Sequence, residues 1–327
     1  MQRRTLMNTA LALTLSLNLP LLTSPALAQT WPDRAIQLIS PYAPGGGTDT
    51  LARLVAQKLA EPLRQSVVVI NRPGAGGTVG TAQVAKSAAD GYTIMIASPS
   101  PIVIAPHGGR PLPYDPLKDL APLIGVASSP AVMVVPASSP AKSVREFIDL
   151  AKSRPGQLAY SSSGNGGTGH LAGSLFEART GTKMIHVPYK SGGEAMTALL
   201  SGEVQLIFTE PLSLVPHLKT GRVRPLAVTG AAPMAMFPDL PTVAAVIPGF
   251  QAGPWFGLLA PAGTPAAIVS RYNSEVNQIL RQADTRETIA KLGAAPLGGS
   301  PADFARLIGE EYERWGGLIR QINLKIE

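Results

Sequence analysis

The chain has no cysteine, few aromatic residues and little charge: Cys is zero, Phe, Trp and Tyr make up 5%, and Asp, Glu, Lys and Arg together 15% of 327 residues. Without cysteine there is no disulfide, no thiolate metal ligand and no lipid-anchored thiol. The four histidines, 107, 170, 186 and 217, are not paired at metal-binding spacing, and no H-E-x-x-H occurs. No G-x-S-x-G marks a serine nucleophile. Lys and Arg form no run and are not interleaved with aromatics, so a nucleic-acid partner is not expected. Catalytic constellations are therefore thin, and neither a cofactor nor a metal is anticipated.

Only the first residues are strongly apolar. Arg3 and Arg4 precede an apolar run over 10–22, broken by Pro20, and Ala26-Leu27-Ala28 supplies a small-x-small cleavage site. These features predict a signal peptide over 1–28, a mature chain starting at Gln29, and a periplasmic product. The arginine pair also permits twin-arginine export. The first 28 residues hold two arginines and no acid, so their removal lowers the net charge from +7 to +5. That modest excess suits attraction of small anions.

What the chain does contain is a recurring unit. Short β-branched runs (36–40, 67–70, 93–97, 158–161, 184–187, 204–208 and 224–228) alternate with glycine-rich turns and helical periodicity. Helices are expected along 51–59, 82–85, 171–180 and 194–200, with Gly181 and Gly202 as stops. This order predicts an α/β fold with mostly parallel sheets covered on both faces. Two extended stretches, 122–135 and 253–260, divide the units into two groups. The expected organisation is two lobes, 29–127 with 254–327 and 128–253, hinged near Ala127 and Gly253.

Three loops between strand and helix share one design: PYAPGGGTD (41–49), NRPGAGGTVG (71–80) and SSGNGGTGH (162–170). A helix N-terminus offers unpaired N–H donors and partial positive charge, and glycine lets an anion reach the backbone. Thr48, Thr78 and Thr168 can add hydroxyl donors. Converging termini would hold a carboxylate at each end. No lysine follows Gly47, so a triphosphate P-loop is excluded. GNGGTG (164–169) fits G-x-G-x-x-G, but the next strand ends in His-Val-Pro-Tyr-Lys without the acid a dinucleotide ribose needs. A secreted nicotinamide-dependent enzyme using Gly164–Gly169 remains an alternative. Asp49 suits dipole stabilisation, His186 a core or rim position, and Trp255 and Phe256 either a cleft wall or the core.

The ordered set PYAPGGGTD, NRPGAGG, ADGYT, GTGHLAG, HVPYK, LSGEVQL, LPTVAAVIPGF and WFGLLAPAGTP resembles the Bug (Bordetella uptake gene) receptors, the periplasmic binding proteins of tripartite tricarboxylate transporters. The resemblance covers 31–327. It implies a two-lobed, type II-like periplasmic-binding-protein fold, an organic-acid ligand and membrane transporter subunits as partners. The chain is expected to be a monomer, and a ligand-sensing subunit for a sensor kinase is the alternative role. By this likeness the ligand-binding residues are Tyr42, Gly46, Gly47 and Thr48; Gly76, Gly77 and Thr78; Gly167, Thr168, Gly169 and His170; Tyr189 and Lys190; Thr209 is expected to bind ligand as well. Many relatives carry aspartate where Thr209 stands, one place before Glu210. Side-chain alternation along a strand argues that Glu210 does not replace it, which predicts a ligand without an amino group.

Overall fold

The computed structural model describes residues 31–189, 191–321 and 323. The expected signal peptide (1–28) and Lys190 lie outside the described residues.

The chain begins with β1 (Ile36–Ser40), α1 (Gly47–Leu63), β2 (Val67–Asn71), α2 (Thr78–Ala85), β3 (Thr93–Ala97) and β4 (Leu120–Ser128). It continues through β5 (Val132–Pro136), α3 (Val144–Ser153), β6 (Ala159–Ser162), α4 (Thr168–Thr180), β7 (Ile185–Pro188) and α5 (Gly192–Ser201). Then come β8 (Leu206–Thr209), α6 (Pro211–Leu218), β9 (Val223–Val228), β10 (Trp255–Pro261), α7 (Ala266–Arg281), α8 (Ala283–Lys291), β11 (Ala295–Gly298) and α9 (Pro301–Gln321).

The strands form two sheets, ordered β11-β4-β10-β3-β1-β2 and β7-β6-β8-β5-β9. Pairing is parallel within the strand–helix units, β2-β1-β3 and β7-β6-β8. The sheets as wholes are mixed, because β4, β5, β9, β10 and β11 enter antiparallel pairs. The first sheet thus draws on both ends of the chain, whereas the second uses one continuous stretch.

The apolar run over 122–135 is not one strand. β4 belongs to the first sheet and β5 to the second, and Ser129-Pro130-Ala131 carries the chain between them. Pro130 lacks an N–H and so cannot continue a ladder. The return crossing lies against the outgoing one: Ser129 N–H donates to Pro254 O (2.9 Å) and Thr229 N–H to Ala131 O (2.8 Å). Gly253 has φ +135°, and a Cβ there would stand 2.7 Å from Ser129 O, so only glycine fits.

Hydrophobic periodicity explains the layering. In α1, Leu51, Val55, Leu59 and Leu63 repeat every fourth residue and are buried against β1 and β3 together with Tyr272 and Val276 of α7. Val132, Val134, Leu199 and Leu214 fill a core on the outer face of the second sheet. The largest cluster runs continuously across both halves, from Met95 and Trp255 through Phe304 and Trp315 of α9 to Phe208, Phe176 and Met133. Among the described residues no helix is long and apolar enough to cross a membrane.

Candidate functional site

The first loop turns sharply after β1 into α1, whose N-cap, Gly46, has no side-chain cap. The first-turn N–H groups of α1 therefore have no acceptor within the helix. Asp49 holds the loop in shape. Its carboxylate accepts from Gly45 N–H (3.0 Å), Arg53 Nε (2.9 Å) and Nη2 (3.1 Å), and Asn71 Nδ2 (2.8 Å). Burial alone would raise its pKa; the donors from Arg53, Asn71 and Gly45, with the Arg53 charge, outweigh burial and hold it below the usual carboxylate range. Asn71 Nδ2 also donates to Tyr42 O (2.9 Å), tying β2 to the loop.

Tyr42 joins the first loop to the second and to the end of β3. Its hydroxyl lies 2.7 Å from Ser98 Oγ and donates to Gly76 O at 3.3 Å, while Ser100 Oγ donates to the same carbonyl at 3.1 Å. Burial raises the Tyr42 pKa against the opposing effect of the two serines, so it stays a neutral phenol. The third loop precedes α4, whose N-cap is Gly167, again without a side-chain cap.

The first two loops, one wall of the third, Ser98, Ser100, Ser129, Asn165, Glu210 and Phe256 enclose a cavity of about 620 Å³. Tyr42, Gly46, Gly47, Thr48, Gly76, Gly167 and Thr168 line it, as expected of ligand loops. The Thr48 and Thr168 hydroxyls have no hydrogen-bond partner among the described residues. A neighbouring chamber of about 320 Å³ shares Thr168, Glu210 and Pro254 and adds Gly169 and Thr209.

Four expected ligand residues face elsewhere. Gly77 packs beneath Tyr42, where a Cβ would stand 3.2 Å from the ring. Thr78 Oγ1 donates to Ala75 O (3.0 Å), and the Tyr189 hydroxyl donates to Glu203 (2.7 Å). His170 is buried behind its loop, accepting from Gly166 N–H at Nδ1 (3.0 Å) and stacking on His186 with centroids 3.8 Å apart. The stack lines a separate pocket with Tyr160, Ser174 and Glu177. Lys190 is not among the described residues. Trp255 and Phe256 divide by strand alternation: Trp255 packs on Phe304 in the core and Phe256 lines the cavity.

The argument from alternation does not reach Glu210. β8 stops at Thr209, and Glu210 is the N-cap of α6. Glu210 opens onto both chambers, whereas the buried Thr209 lines only the smaller one. The Glu210 carboxyl has no hydrogen bond or ion pair among the described residues, and its surroundings raise its pKa even though water reaches it through the cleft. The premise for excluding an amino group therefore fails. Ser98 and Ser100 carry the opposite lesson. They sit beyond the carboxyl end of β3, where open α/β sheets place ligands, but the segment lacks the glycines that flagged the other loops.

Residues 51–324 match the family described as tripartite tricarboxylate transporter family receptor (TctC). The chain belongs to this family. Protein BugT of Bordetella pertussis is 37% identical over 308 residues, covering 94% of each protein. A receptor from R. palustris solved with adipate is 38% identical, with a TM-score of 0.75, covering 89% of this chain and 97% of its own. MatC from Rhodopseudomonas palustris with bound malate is 32% identical, with a TM-score of 0.71, covering 88% and 99%. The TctC chain is accordingly a two-lobed solute receptor and not an enzyme, and neither a nicotinamide site nor a sensory role finds support among these relatives. Receptors of this family are periplasmic proteins that serve membrane transporters.

Proposed function

We propose that residues 29–327 form a periplasmic, monomeric receptor that binds a small organic carboxylate between lobes 29–127 with 254–327 and 128–253, and passes it to the membrane subunits of a tripartite tricarboxylate transporter. One observation carries this reading: the uncapped N-termini of α1 and α4 open into the same 620 Å³ cavity. No Lys or Arg lines that cavity among the described residues, so backbone N–H groups and hydroxyls supply the anion donors. Gly46, Gly47, Thr48, Gly76, Gly167 and Thr168 do so with Ser98, Ser100 and Asn165. Gly77, Gly169 and His170 shape the loops from behind. Adipate and malate in solved relatives support the choice of ligand class.

Titration calorimetry and thermal shift over a panel of organic acids test the proposal. A true ligand at about 100 times its Kd raises stability by about 2.7 kcal/mol and is recovered chemically unchanged. Failure of every carboxylate to bind, or sustained conversion of one, rejects it.

A further inference from the structure

Resting on the carboxylate reading above, we infer that Glu210 makes the two ends of the cavity chemically unequal, and that the ligand joins one carboxylate through an apolar body to a hydrogen-bond donor, an ammonium or a hydroxyl. The two acidic side chains near the loops are in opposite situations. Asp49 is saturated by Arg53, Asn71 and the Gly45 N–H, so it presents no free charge to an anion lodged at the start of α1. Glu210 opens into the same space with no partner among the described residues. Among the described residues no cationic side chain lines either chamber to balance it.

Glu210 lines the same cavity as the starts of α1 and α4, and a second carboxylate placed against Glu210 itself would face a like charge. A donor in the same place gives Glu210 the partner it lacks, through a charge-assisted hydrogen bond. α6 starts directly behind Glu210, and its N-terminus favours an anion at that position, opposing the burial that raises the Glu210 pKa. Between the two ends the lining is apolar: Leu51, Ile104, Phe256, Leu292 and Ala294. They suit a methylene chain or a ring and contribute no polar contact.

Matched ligands of equal length isolate the far end. Calorimetry on the full chain would compare adipate with ε-aminocaproate, succinate with γ-aminobutyrate, and terephthalate with para-(hydroxymethyl)benzoate, with caproate as the acid lacking a far-end group. The donor-ended member should bind about tenfold or more tighter than its dicarboxylate partner in each pair that binds. Glu210→Gln replaces no hydrogen bond and keeps the shape, and it should shrink that ratio to within about threefold. Glu210→Asp should keep the sign of the preference. Dicarboxylates binding equally or better, or a ratio unmoved in Glu210→Gln, would overturn the inference and leave the carboxylate reading standing. Binding of caproate with indifference to the far end has the same meaning. If no acid in the set binds, the carboxylate reading falls and this inference falls with it.

Discussion

His170 and His186 stack with planes 2° apart, and Ser162 Oγ lies 2.7 Å from His186 Nε2. Two imidazolium ions cannot share that contact. Burial first, then the neighbouring His170, pushes the His186 pKa down to about 4; burial alone lowers His170. A histidine whose folded pKa lies below its unfolded value of about 6.5 contributes stability fully above that value, and the contribution disappears as pH falls towards 4. The loss should reach on the order of 2 kcal/mol, less than the full shift implies because His186 is partly exposed. Urea unfolding at about pH 7 and about pH 4.5 measures it, and His186→Gln should flatten the difference. An unchanged acid sensitivity in that variant would place the effect in the other histidines that burial holds below their usual pKa, His170 and His107. The stack also supports the ligand loop, since Gly166 N–H donates to the Nδ1 that protonation would occupy.

At the scale of elements, the start of α1 is held by one side chain. Asp49→Ala removes the acceptor of Gly45 N–H and the partner of Arg53, so the ligand-free protein should lose about 1–3 kcal/mol. Affinity should also fall by about tenfold or more, because the loop is no longer pre-organised. Thr48→Val instead deletes only a donor facing the cavity, and should weaken binding with little change in melting temperature. Calorimetry and melting of both variants separate the two roles; equal effects on both measurements would mean that Thr48 is structural. In sequence, Asp49 reads as a dipole-stabilising residue, and its links to Gly45 and Asn71 are invisible because they depend on how β1 and β2 pair. The elements themselves are legible where the pattern is local: β1 and β3 occupy the expected residues, and α1 follows its four-residue repeat. The break at Ser129-Pro130-Ala131 is not, since both flanking strands are buried and equally apolar. Nor is the orientation of Glu210, which depends on where β8 yields to α6.

At the scale of the molecule, paired crossings at 129–131 and 252–254 are the narrow joint between two sheets, and they are hydrogen-bonded to each other. Such a joint favours opening and closing over sliding. Small-angle scattering should show a smaller radius of gyration once ligand saturates the protein. A confirmed tight ligand that leaves the radius unchanged would indicate a preformed, rigid pocket. The core shared through α9 limits the amplitude, because Trp315 and Phe304 belong to the same apolar cluster as Phe176 and Phe208 of the other half.

The placement of β10 between β3 and β4 also sets an order of events at the ribosome. Synthesis delivers β1, β2, β3 and β4 early, and β3 pairs with β1, yet the other edge of β3 and both edges of β4 stay open until residues 255–261 and 295–298 emerge. The five strands of the second sheet are all present by residue 228, although Phe250 and α9 complete its core later. The sheet that begins second can therefore pair all its strands first, while the earlier strands wait with an open edge, the kind of surface that pairs wrongly with other chains. A newborn chain of this protein is most exposed to misassembly between the completion of β9 and the arrival of β10.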